Sequence, residues 1–141
     1  MTSKEVKRWL ETYRSLGREI EYIRNEIEEW ESAAEWATSR ITGMPKGGGN
    51  AGFVSAIEAI DKLLSKLSEK ITEKIALREE IEEAVGSVED KRYREVLTLR
   101  YIHGMRFVKI AAAMNYEERN VYELCNDALT VLAKRKEESL Q

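Results

Sequence analysis

A 3-4 repeat of apolar or small residues runs through the first 34 residues of the sequence. It comprises positions at alternating steps of three and four: Val6, Trp9, Tyr13, Leu16, Ile20, Ile23, Ile27, Trp30 and Ala34. An uninterrupted repeat of this period predicts a long helix with one apolar stripe, as in a coiled coil. A second stripe follows at Ile57, Ile60, Leu64, Leu67 and Ile71. Together the two stripes predict a long antiparallel hairpin of coiled-coil-like helices.

A glycine-rich segment separates the two stripes. Residues 43–52 contain the only proline of the chain and five of its eight glycines, so we expect a loop that connects the helices. The segment follows no strand and lacks the Gly-Lys-Ser/Thr ending of a P-loop, which argues against phosphate binding. Gly86 and Ser87 mark a second break. We therefore predict a hairpin and oligomerisation region over residues 1–86 and a separate module over residues 87–141.

Three helices are predicted in the C-terminal module. The first runs from about Val88 to Ile102, and Gly104 ends it because glycine takes the left-handed conformation easily. The second runs from Phe107 to Met114, with Asn115 in the turn that follows. The third begins at about Glu117 or Glu118, and its buried stripe is predicted to be Val121, Leu124, Ala128, Leu129 and Leu132. The whole chain is therefore predicted to be all-α.

The last two predicted helices and the short turn between them have the spacing of a helix-turn-helix. In DNA complexes the second helix of this motif lies in the major groove, and residues near its N-terminus contact base edges. The candidates for base contact are Arg119, Asn120, Tyr122, Glu123 and Asn126. Arginine suits guanine, asparagine suits adenine, and a carboxylate accepts from cytosine. The candidates for phosphate contact are the flanking cations Arg100, Arg106, Lys109, Lys134 and Arg135.

This C-terminal segment resembles region 4 of sigma-70-type factors. The resemblance is carried by Leu99, Arg100, Tyr101, Phe107, Ile110, Ala111, Met114, Tyr116, Val121, Ala128, Leu129 and Leu132. The whole chain is similar to small phage-encoded, sigma-like regulators of the ArpU/RinA type, which pair an N-terminal helical hairpin with such a module. The resemblance implies a phage or prophage transcription regulator that binds double-stranded promoter DNA in the cytoplasm of a bacterial host.

The charge pattern departs from that resemblance. The third helix opens with Glu117 and Glu118, which suit a helix N-terminus but not the neighbourhood of DNA phosphates. Residues 1–87 carry a net charge of −4 and residues 88–141 a net charge of +1, so the basic footprint of a DNA-binding domain is weak. Two alternatives stay open: an interaction module that docks on RNA polymerase without reading DNA, and a DNA-packaging adaptor of the small-terminase type.

The stripes of the hairpin are too apolar to be covered by two helices alone, so we expect a homodimer through the N-terminal helices. We expect no enzymatic activity, cofactor or metal site. Cys125 is the only cysteine and His103 the only histidine, which leaves no metal-ligand cluster and no convincing catalytic set. No apolar run is long enough to cross a membrane.

Overall fold

The computed structural model describes residues 1–43 and 50–139. Within these ranges the chain is all-α and contains no strand, as predicted. The elements are α1 (Ser3–Gly43), α2 (Asn50–Gly86), α3 (Lys91–Leu97), a π-helical turn (Thr98–Ile102), α4 (Phe107–Met114) and α5 (Glu118–Ser139). Gly43 ends α1 and Asn50 begins α2, so both helices reach inside the bounds predicted for a loop at residues 43–52. The rest of that predicted loop, residues 44–49, lies outside the described part of the chain.

The helices form two compact units, which we call the first and the second unit. The first unit comprises Met1–Leu16 and Lys74–Gln141, and the second comprises Gly17–Glu73. The sequence instead predicted a division between residues 86 and 87. The difference arises because the first turns of α1 and the last turns of α2 contribute to the same core as α3, α4 and α5. Helical periodicity shows which face of a helix is apolar, but not which later helix covers it.

The core of the first unit joins all of its helices. Leu10, Ile81, Ile110 and Leu132 are fully buried within it. Complete burial of a side chain of this size contributes about 1.5–3 kcal/mol. The predicted stripe of α5 is confirmed, since its five residues are all buried. Leu10 was not part of the predicted repeat, and it is more deeply buried than its neighbour Trp9, which is half-buried.

In the second unit, α1 buries most of its predicted stripe, whereas α2 leaves part of its stripe exposed. Ile20, Ile23 and Ile27 of α1 are buried, and Trp30 is 40% exposed. On α2, by contrast, Ile57 is 41% and Leu64 is 48% exposed. Apolar surface is thus left uncovered at these two positions, as expected for a stripe that two helices alone do not cover. The two helices of this unit are joined by an ion pair in which Lys70 Nζ lies 3.2 Å from a carboxylate oxygen of Glu19.

Candidate nucleic-acid interface

A tight turn in the first unit directs α5 away from α4. Asn115 ends α4 in the left-handed conformation, with φ 59° and ψ 42°. The backbone N–H of Tyr116 donates to the carbonyl of Ala111 at 2.9 Å, and that of Asn115 donates to Ala112 at 3.4 Å. These two bonds form a Schellman motif, which satisfies carbonyls at the end of a helix. The bounds of α4 and the turn at Asn115 coincide with those predicted from the sequence.

The five predicted base-contact residues are all exposed on α5, but they do not form one row. Arg119 and Glu123 lie one turn apart on the outward face, and their side chains pair at 3.7 Å. Both are well exposed, at 89% and 67% of the side chain, so the pair contributes little to stability. Asn126 is also exposed, a further turn along the helix. The outward face thus offers a guanidinium, a carboxylate and an amide in succession.

Tyr122 and Asn120 lie on opposite flanks of that face. The ring of Tyr122 packs against Phe107 of α4, with 4.1 Å between centroids. Asn120 lines a cleft of about 340 Å³ together with Tyr116, Glu123 and Arg92 of α3. A helix that inserts between two walls of a groove presents its flanks as well as its outermost face. The arrangement therefore places different chemistry at three sides of the N-terminal part of α5.

Arg100 differs from the other candidates for phosphate contact because its guanidinium group is engaged within the protein. Its Nη1 donates to the carbonyl of Met105 at 3.1 Å. The guanidinium carbon also lies 4.1 Å from the ring centroid of Phe107, a cation–π distance. The residue is half-buried. These contacts favour a role in holding the segment between the π-helical turn and α4 over a role in binding phosphate.

The remaining cations of the predicted set lie at the edges of the unit. Arg106 and Lys109 are exposed at the start of α4, and Lys134 is exposed on α5. Arg135 pairs with Glu138 at 3.7 Å. Lys136, the next cation in the sequence, lies instead over the ring of Trp9, with Nζ 3.4 Å from the centroid. Desolvation by burial lowers the pKa of Lys136, an effect that Glu80 opposes.

Arg92 is a residue of this surface that sequence reasoning missed. Asp90 caps α3 by accepting from the backbone N–H of Arg92 at 2.9 Å, and its carboxylate pairs with the Arg92 guanidinium at 3.0 Å. A side-chain hydrogen bond to Asp90 is the largest cause that raises the pKa of Arg92, and a bond to Tyr116 adds to it. The signal in the sequence was the aspartate two residues before an arginine at a helix start.

The core beneath this surface contains the buried thiol of Cys125. Cys125 Sγ lies 3.9 Å from the hydroxyl of Tyr101, and both residues are buried. Burial raises the pKa of the Cys125 thiol, and it also raises the pKa of the Tyr101 hydroxyl. Cys125 is thus held as a neutral core residue, as its place beside Leu124 in the sequence suggested.

No helix within residues 1–43 or 50–139 has both the length and the apolar character needed to cross a membrane.

Comparison with known proteins identifies a family for this chain. No curated protein and no solved structure matches the chain. Residues 31–133, which include the turn at Asn115 and all five residues predicted to contact bases, match one family. The chain belongs to the family described as "Protein of unknown function (DUF1492)".

Proposed function

We propose that the protein is a sequence-specific, non-enzymatic DNA-binding regulator of transcription that inserts the N-terminal part of α5 into the major groove. The observation that carries this proposal is the turn at Asn115, which joins two packed helices and leaves the outward side of the first turns of α5 exposed. The sequence resemblance to sigma region 4 supports the same use of α5. It also supports a phage or prophage origin and action in the cytoplasm of a bacterial host.

The three sides of α5 suggest separate tasks in base recognition. Arg119 and Glu123 suit neighbouring guanine and cytosine edges, since arginine donates twice to guanine and a carboxylate accepts from cytosine. The two side chains lie close enough to form an exposed ion pair, so they could contact adjacent base pairs. Asn120 and Asn126 suit adenine. Tyr122 offers an apolar ring.

Arg106, Lys109, Lys134 and Arg135 would contact phosphates. Arg106 and Lys109 lie at the start of α4, and Lys134 and Arg135 lie on the later turns of α5, away from its acidic start. Attraction to the DNA backbone would thus come from residues other than those that meet the bases. Each phosphate neutralised contributes about 0.9 to the slope of log affinity against log salt concentration. Arg100 is assigned to the support of Phe107 instead.

The exposed stripe of α2 supports a homodimer. Ile57 and Leu64 are seven residues apart on one face of the helix, and the same face is 50% exposed at Val54. A heptad spacing of apolar residues is the pattern that a second helix covers in a bundle. A second copy of the chain presents the same stripe, so the contact would be self-complementary. Two α5 helices would then engage two half-sites.

One observation favours a second candidate function, a contact with RNA polymerase without DNA reading. Glu118, Glu123 and Asp127 are exposed on α5 and outnumber Arg119, so the outward face is acidic. Such a face suits a basic protein surface by charge complementarity. Copurification of a polymerase subunit, with no retention of duplex DNA, would support this second function over the first.

In-vitro selection from a random duplex library, at low and at physiological salt, tests the proposal. We expect enrichment of a defined site, with its half-site spacing set by the dimer. Replacing both Arg119 and Asn120 with alanine should relax the sequence preference. Replacing both Lys134 and Arg135 with alanine should weaken binding to all duplexes and lower the salt slope by about two.

The matched control is the double variant Lys62→Ala/Lys66→Ala. Both lysines are exposed on α2 in the second unit, so the control removes the same charge away from the proposed surface. It should bind and select DNA as the parent does. If no duplex is retained even at low salt, the proposal fails. If the control loses as much affinity as the Lys134/Arg135 variant, the placement of the phosphate contacts is wrong.

A further inference from the structure

Three side chains form a stack on the flank of α5 that faces α4. The guanidinium carbon of Arg100 lies 4.1 Å from the ring centroid of Phe107, and the Phe107 centroid lies 4.1 Å from that of Tyr122. The two aromatic planes are inclined by 31°. Arg100 is anchored in turn by its bond to the carbonyl of Met105. One side of the Tyr122 ring is therefore supported by protein.

The other side of the Tyr122 ring remains available. Tyr122 is 48% exposed, although it is packed against Phe107. Val108, which follows Phe107 in α4, is a further exposed apolar residue, at 57%. A supported aromatic ring loses less side-chain entropy on binding than a freely rotating one.

Both cations and carboxylates lie near this apolar surface along the chain. Arg106 and Lys109 are exposed beside Phe107 in the sequence, and Arg100 lies against its ring. The nearest carboxylates along the chain are Glu123, which directly follows Tyr122 and pairs with Arg119 at 3.7 Å, and Glu118, one helical turn before Tyr122. With Glu123 paired to Arg119, the cations beside Phe107 are compatible with a polyanion as the occupant, and nucleic acid is the polyanion that also presents apolar groups for a ring to touch.

We propose that Tyr122 contacts the 5-methyl group of a thymine, and that Phe107 and Arg100 are positioning residues that hold the Tyr122 ring for this contact. The inference rests on the proposed function, in which α5 lies in the major groove. Base edges in that groove present hydrogen-bond donors and acceptors, and the thymine methyl is the apolar group among them. An aromatic ring on the flank of α5 thus has one natural partner there.

Replacement of thymine by deoxyuridine tests the contact, because it removes the methyl group alone. The full-length protein is titrated with the duplex that selection enriches, and with duplexes in which each thymine is replaced in turn. We expect one position at which the replacement weakens binding about fourfold, the factor for one buried methyl-sized group. Tyr122→Ala should bind the two duplexes alike, while Tyr122→Phe should keep the difference.

The ratio of the affinity for the thymine duplex to that for the deoxyuridine duplex also tests the positioning residues. Phe107→Leu and Arg100→Lys should lower the preference for thymine over uracil, because each removes planar support from the ring. A general loss of stability would weaken both duplexes equally and leave this ratio unchanged. Tyr22→Ala is the control, since Tyr22 is 62% exposed on α1 in the second unit. It should leave the ratio as in the parent.

Failure of the inference and failure of the proposed function give different results. If the protein binds duplex DNA but no thymine position responds to uracil, the inference is overturned and the proposed function stands. The same holds if Tyr122→Ala keeps the preference for thymine. If no duplex binds even at low salt, both are overturned.

Discussion

The guanidinium carbon of Arg100 lies 4.1 Å from the ring centroid of Phe107, and its Nη1 donates to the carbonyl of Met105 at 3.1 Å. Both contacts join the π-helical turn to the start of α4. Single-turn π-helices are frequent at functional sites, and this one carries a residue that supports the proposed interface. We therefore infer that the main role of the Arg100 side chain is to position α4, and not to bind phosphate.

This relationship predicts that Arg100 and Lys109 respond differently to loss of charge. Arg100→Gln should lower the free energy of unfolding by about 1–3 kcal/mol, because it removes a cation–π contact and a charged hydrogen bond. It should leave the salt slope of DNA binding unchanged. Lys109→Gln should do the reverse, with little effect on stability and a slope lower by about one. Denaturant titration and binding at several salt concentrations measure both. If the salt slope of DNA binding fell equally for both variants, Arg100 would contact phosphate after all.

The turn at Asn115 gives a prediction about stability. Asn115 is the non-glycine residue with positive φ in the described part of the chain. In this conformation the Cβ of most residues comes too close to the following carbonyl oxygen, which costs about 1–2 kcal/mol, and asparagine offsets part of that cost by local hydrogen bonding. Asn115→Ala should therefore lower the free energy of unfolding by about 1 kcal/mol. Asn115→Gly should be close to neutral. The control is Ala113→Gly in the helical part of α4, which should cost about 0.5–1 kcal/mol. Thermal unfolding would contradict the prediction if alanine were tolerated at 115 as well as glycine.

Much of the fold was predictable because the local signals are strong. The bounds of α4, the turn at Asn115 and the buried stripe of α5 follow from periodicity and from asparagine, which tolerates the left-handed conformation. The stack of Arg100, Phe107 and Tyr122 was not predictable, since it joins three elements through side-chain directions. The grouping of Met1–Leu16 with α3, α4 and α5 depends likewise on long-range contacts.

The cap of α3 predicts an acid-sensitive contribution to stability. Hydrogen bonding to Arg92 is the main cause that lowers the pKa of Asp90 below its ordinary value of 3.8. A carboxyl group with a lowered pKa in the folded state stabilises fully above that ordinary value, and the contribution disappears as the pH falls through the folded-state pKa. Asp90→Asn keeps a capping oxygen but removes the charge. The variant should therefore be less stable than the parent at pH 7.

The free energies of unfolding of the parent and of Asp90→Asn should converge as the pH falls below about 3.8, the ordinary pKa of the Asp90 carboxyl group. Glu89→Gln is the matched control because it removes a neighbouring exposed carboxylate that does not cap α3. Its difference from the parent should be small at pH 7. If the gap between the parent and Asp90→Asn were as wide at pH 3 as at pH 7, the charge on Asp90 would not be its source.

The exposed stripe of α2 predicts how the protein assembles. Ile57 and Leu64 are 41% and 48% exposed, and they are absent from the core of the first unit. The double variant Ile57→Gln/Leu64→Gln should therefore keep its helical content while it loses the dimer. Glutamine suits a helix, so the change removes apolar surface without breaking α2. Sedimentation equilibrium at tens of micromolar should give the dimer mass for the parent and the monomer mass for the variant.

The matched control for assembly is Lys62→Gln/Lys66→Gln, which alters two exposed residues of the same helix without touching the stripe. It should sediment as the parent does. A monomeric parent at these concentrations would mean that another protein covers the stripe, and that a single α5 meets DNA. A dimeric parent whose dimer survives the Ile57/Leu64 change would place the interface elsewhere on the chain. Loss of the dimer together with loss of preference for a paired half-site would connect the assembly of α2 to DNA reading by α5.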